Sequence, residues 1–76
     1  MTMRQAVSQN PDILGGTLCF AGTRVPVRNL FDYLEGGNSI DYFLDSFNWV
    51  SREQVLAVLN YSAKKLEDEA DLRPNQ

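Results

Sequence analysis

Apolar residues recur at helical spacing three times between Val27 and Leu66. Val27, Leu30, Phe31 and Leu34 follow the i, i+3, i+4, i+7 order of one apolar helix face. Asp32 and Glu35 fall off that face and Gly36-Gly37 closes the segment, so a helix is predicted from about Val27 to Glu35. Ile40, Phe43, Leu44 and Phe47 repeat the spacing behind Ser39, a good N-cap residue, with Asp41 and Asp45 toward solvent. The third helix has the best-marked start. Ser51 and Gln54 make a capping box, and Val50 and Val55 hold the two positions of a hydrophobic staple. Downstream, Val55, Val58, Leu59, Ser62 and Leu66 line one face, which Leu56, Leu59 and Ala63 widen beyond the needs of one short partner helix. Asn48 and Trp49 complete the turn between the second and third helices.

Ahead of the helices the period disappears. Met1 to Gln9 is polar and predicts a mobile lead-in or a short helix that orders on binding. Asn10-Pro11-Asp12 is a turn signal, followed by Ile13-Leu14 and Gly15-Gly16. Thr17 to Phe20 reads as a short strand, Ala21 to Thr23 as a turn, and Arg24 to Val27 as the partner strand of a β-hairpin. In that turn Gly22 supplies positive φ and Thr23 a hydroxyl, while Pro26 holds Val25 extended and lets a helix begin just beyond. Two strands alone are unstable in water, so the hairpin must lie on the helices or on another chain. After Leu66 the acidic run Glu67, Asp68, Glu69 and Asp71 leads to Pro74 and a tail. The expected organisation is a lead-in over residues 1–12, one domain over 13–66 and an acidic flexible tail over 67–76. The expected fold is mainly α: a three-helix, homeodomain-like helix-turn-helix bundle with a short N-terminal β-hairpin.

Composition narrows the function. With 43% hydrophobic residues, four Phe, three Tyr and one Trp, the chain can build a core, although 76 residues is close to the lower limit for doing so. Ten acids against seven bases give a net charge of −3, which limits any nonspecific grip on nucleic acid. Cys19 is the only cysteine and histidine is absent, so no intramolecular disulfide, Cys/His zinc site or His-dependent triad can form. No cofactor is implied, and no nucleophile–base pair suggests an enzyme. Cys19, between Leu18 and Phe20, reads as a small buried hydrophobe in a reducing cytosol. The N-terminus lacks the apolar core of a secretion signal and no run approaches membrane-spanning length, so a cytoplasmic location is expected.

Four stretches carry a family resemblance: Ile13-Leu14-Gly15-Gly16, Gly22-Thr23-Arg24-Val25-Pro26-Val27, Gly37-Asn38-Ser39-Ile40, and Val50-Ser51-Arg52-Glu53-Gln54-Val55 with Tyr61 downstream. Together they resemble the domain-of-unknown-function 433 family over roughly Ile13 to Ala63. Where that family often has proline before the last turn, this chain has Asn48. The resemblance implies a helix-turn-helix protein with an N-terminal β-hairpin, of antitoxin type, neutralising a PIN-like nuclease toxin by direct binding. Operator DNA, bound through the third helix, is a further expected partner. A DNA-binding transcription regulator and a homodimeric structural module are the alternatives. No catalytic residue can be carried over.

The candidate residues each have a second reading. Arg24 suits a partner carboxylate or phosphate with its planar guanidinium, or pins the hairpin to Asp32 or Glu35. Arg28 and Tyr42 are further partner-binding candidates, and Arg73 would reach an acidic nuclease site from the tail. Trp49 reads as the plug between helices two and three, with an interface anchor as the alternative. Arg52, Asn60 and Lys64 are the weak DNA-contact candidates, with solvated surface charge as the plainer explanation. Asp32, Glu35, Asp41 and Asp45 predict a charged solvent surface rather than a metal or acid–base cluster. Leu56, Leu59, Ala63 and Leu66 form the candidate dimer face.

Overall fold

The computed structural model describes residues 1–70. Four α-helices, α1 (Met3–Ala6), α2 (Val27–Glu35), α3 (Ile40–Ser46) and α4 (Arg52–Ala70), accompany two strands, β1 (Val7–Gln9) and β2 (Leu18–Phe20). The strands pair antiparallel, Val7 with Phe20, Ser8 with Cys19 and Gln9 with Leu18. The fold is therefore mainly helical with an N-terminal two-stranded antiparallel hairpin.

The helices start and stop where side chains satisfy their ends. Ser39 Oγ accepts the Tyr42 N–H at 3.0 Å, capping α3. At α4 the capping box is complete: Ser51 Oγ accepts the Gln54 N–H at 3.1 Å and Gln54 Oε1 accepts the Ser51 N–H at 2.9 Å. Val50 and Val55, the staple pair, are both buried. α2 occupies the predicted residues and ends as Gly36 N–H donates to the Asp32 carbonyl at 3.0 Å.

Phe20, Leu30, Phe43 and Val55 are fully buried and bring β2, α2, α3 and α4 to one core. Phe43 is its aromatic hub. Its ring lies 6.0 Å from Phe20, 5.4 Å from Tyr33 (edge-on) and 5.0 Å from Phe47, centroid to centroid.

The N-terminal segment departs from expectation. The partner of β2 is Val7–Gln9, not Arg24–Val27; the latter contributes one isolated bridge, Cys19 to Pro26, and a bond from the Phe20 N–H to the Val25 carbonyl at 3.0 Å. The reason is local. Pro26 has no N–H to extend a ladder and Val27 already begins α2. Residues 3–9, expected to be a mobile lead-in or short helix, form α1 and β1, and Ala6 is fully buried. A second capping box starts α1: Thr2 Oγ1 accepts the Gln5 N–H at 3.3 Å and Gln5 Oε1 accepts the Thr2 N–H at 2.9 Å. At the other end Glu67–Ala70, assigned to a flexible tail, are the last residues of α4, where Lys65 and Glu69 pair at 3.3 Å. The rest of that tail, including Arg73, lies outside the described residues.

Candidate protein-binding groove

The turn after β2 fixes Arg24 in place. Gly22 takes φ +76°, a left-handed conformation that side chains disfavour. Thr23 Oγ1 donates to the Phe20 carbonyl at 2.8 Å and accepts the Val25 N–H at 3.1 Å, so one hydroxyl closes both arms of the turn. No heavy atom lies within 4 Å of where a Cβ on Gly22 would be. A Gly22→Ala change is therefore expected to act through backbone strain alone, costing about 1–2 kcal/mol. Urea unfolding would check it; an unchanged midpoint would show that the turn relaxes freely.

Beside this turn lies a groove of ≈ 650 Å³ lined by Ser8, Ile13, Gly22, Thr23, Arg24, Val25 and Trp49. Its walls are mainly apolar and Arg24 is its one charged lining residue. Arg24 is exposed and has no ion pair or side-chain hydrogen bond among the described residues. Arg24 pairs with neither Asp32 nor Glu35 among the described residues, and Asp32 instead accepts from Arg28 Nε at 3.2 Å. A guanidinium keeps its planar set of donors free at the border of this apolar groove.

Trp49 also departs from expectation. It is not the plug between α3 and α4; its indole is 79% exposed at the groove. Val50, 4% exposed, fills the interior position as the residue before the α4 N-cap, which turns its neighbour Trp49 outward. A large aromatic held in water at the rim of an apolar groove is a feature of binding sites rather than of cores.

The remaining candidates are dispersed. Arg28 is exposed but engaged with Asp32, one turn along α2. Tyr42 is 55% exposed and stacks its ring at 5.8 Å on Tyr33, so part of its surface is used within the chain. Arg52 forms an ion pair with Asp41 of α3. Asn60 and Lys64 are exposed further along α4, but Glu53 and Glu67 fall within the same ~120° arc at about 100° per residue. Carboxylates on that face oppose a phosphate backbone. Leu56 and Leu66 are 43% and 68% exposed, Ala63 is exposed, and Leu59 packs partly against the core. Among the described residues no three Asp, Glu or Cys side chains gather as metal ligands. Among the described residues no helix is long and apolar enough to cross a membrane.

A second groove, ≈ 570 Å³, runs between β1, α2 and α4, with Val7, Leu18, Phe31 and Tyr61 on its walls and Arg4 at its edge. The residues that sequence reasoning missed are Ser8 and Ile13 on the first groove and Arg4 on the second. Ser8 lies on β1 and Arg4 on α1, two elements that the period did not reveal.

A family model described as "Protein of unknown function (DUF433)" matches residues 7–62. Uncharacterized protein y4eO of Sinorhizobium fredii (strain NBRC 101917 / NGR234) is 36% identical over 52 residues, covering 68% of this chain and 24% of the relative. The chain thus spans about a quarter of the length of that curated relative. No solved structure matches the chain.

Proposed function

The chain belongs to the DUF433 family of proteins of unknown function, and from that premise we propose that it is a non-enzymatic, protein-binding module of antitoxin type acting in the cytoplasm. The observation that carries this reading is the unpaired Arg24 on an apolar groove rimmed by the exposed Trp49. The partner is a PIN-like nuclease, as the family resemblance implies. Such nucleases gather carboxylates around a metal, so an inserted guanidinium would occupy the cation's place and quench activity. Trp49 and Ile13 would supply the apolar anchoring. A matching segment makes up about a quarter of a longer relative, which is consistent with a unit that can be appended to other chains.

Arg24→Ala and Trp49→Ala are expected to leave the fold intact, since both side chains are exposed. Each should weaken inhibition of the nuclease encoded beside this protein by about tenfold or more, a central anchor being worth roughly 2 kcal/mol. Nuclease assays with titrated inhibitor would measure this, with circular dichroism as the fold control. Two variants that fold and inhibit as well as the parent would sink the groove reading. Operator binding, the second role, has less support because Arg52 is paired and Glu53 and Glu67 share the face of Asn60 and Lys64. A low-salt titration against the upstream DNA tests it; no binding, alone or with the nuclease, removes it.

A further inference from the structure

α4 has two faces and the globule uses only one. Its buried residues, Gln54, Val55 and Val58, lie in its first two turns, whereas from Ala63 onward every side chain except that of Ala70 is exposed. Nineteen residues at ~1.5 Å each make a rod of about 28 Å, so its second half extends past the core. Along its side run Arg52, Leu56, Leu59, Ala63, Leu66 and Ala70. Their steps of four, three, four, three and four are those of a coiled-coil seam.

We infer that this seam packs antiparallel against the α4 of a second copy of the chain. The two-fold axis passes at the level of Tyr61, where it sets Leu56 opposite the second copy's Leu66 and Leu59 opposite its Ala63. Large then meets small in the middle layers, and the two exposed leucines cover each other at the ends. Charge selects the direction. α4 begins at Arg52 and ends in Glu67, Asp68 and Glu69. An antiparallel pair places each Arg52 at the level of the other copy's Ala70, within one turn of its Glu67, and opposes the helix dipoles. A parallel pair would set acidic end against acidic end. Asp41 engages one terminal nitrogen of Arg52 and leaves the remaining guanidinium donors for the second copy. Glu53 sits about 100° round the helix from Arg52, off the seam. The seam shares no residue with the Arg24–Trp49 groove, so a seam variant leaves the groove's lining unchanged.

Sizing with light scattering at several hundred micromolar should give twice the 8.6 kDa of one chain. Leu66→Glu should return the single-chain mass with unchanged helix content, a loss of at least about tenfold in dimer affinity. For register, the Leu56→Cys/Leu66→Cys double variant should cross-link under mild oxidation, while Leu66→Cys alone should not. Cys19 is 1% exposed and stays out of the reaction. A parent that remains single-chain, a Leu66→Glu variant that still dimerises, or a Leu66→Cys variant that cross-links alone would each overturn the proposal.

Discussion

Phe43→Ala is expected to leave the chain without a cooperative unfolding transition at room temperature. Phe43 is fully buried, and rings from three other stretches close on it: Phe20 of β2, Tyr33 of α2 and Phe47 just after α3. Truncating a buried Phe costs about 3–5 kcal/mol, from lost transfer energy and the cavity left behind. A core in a chain of this length supplies a net stability of about the same 3–5 kcal/mol. The two numbers are comparable, so one substitution removes the margin. Phe43→Leu keeps most of the volume and should cost about 1–2 kcal/mol, leaving a transition that can be measured. Urea titration of both variants by circular dichroism is the check. A Phe43→Ala variant within about 1 kcal/mol of the parent would mean that the ring is not the hub described.

The inward face that carries Phe43 was legible in the sequence, although its ring contacts to Phe20 and Tyr33 were not. Phe43 lies on a period of 3.6 with Ile40, Leu44 and Phe47, and a repeated period constrains every member of the face at once. The bounds of α2 and the capping box of α4 were readable for a similar reason, since their signals are confined to a few adjacent residues. β1 was not readable. Val7-Ser8-Gln9 is too short to show alternation, and its place beside β2 comes from a partner nine or more residues away. The one local clue, Thr2 followed by Gln5, is a capping box without the apolar run that usually confirms one. The tail failed for a different reason. Acidic residues suggest solvation, but none of them stops a helix, and with no glycine or proline before Ala70 α4 simply continues.

The groove was half legible. Gly22 and Thr23 drew attention because the turn demands them, Arg24 for its planar guanidinium, and Trp49 as a large aromatic between two helices. Whether Trp49 faces in or out depends on the neighbouring Val50, and a turn of unknown path has no period to decide that. Likewise it was not legible that Asp32, one of the two carboxylates offered to Arg24, is taken by Arg28. One turn before Asp32 on the same helix, Arg28 reaches that carboxylate with no loop to order.

The second large effect is expected at Gln54, whose role exceeds the cap assigned to it from sequence. Gln54 is the one buried polar side chain among the described residues. Its Oε1 accepts the Ser51 N–H, while Nε2 donates to the carbonyls of Ala6 at 3.3 Å and Ala21 at 3.0 Å. A single amide thus starts α4 and ties it to the end of α1 and to the residue after β2. Gln54→Leu keeps the bulk but removes all three bonds. Ala6 O still accepts the Ala21 N–H at 2.9 Å, whereas Ala21 O loses its partner, for a total cost of about 2–3 kcal/mol. Gln54→Glu is nearly isosteric and should cost more at neutral pH, because it turns a buried negative charge toward two carbonyl oxygens. Burial and those oxygens both disfavour the ionised form, so its folded pKa lies above the unfolded value of about 4.3. The sign follows: the folded state binds the proton more tightly, so the variant regains stability as pH falls through the folded pKa, with no further gain below about 4.3. Relative to the parent, Gln54→Leu should show no such recovery. Urea midpoints of the three proteins across that pH range measure it, and parallel curves for Gln54→Glu and Gln54→Leu would show that the side chain at 54 does not face the two carbonyls.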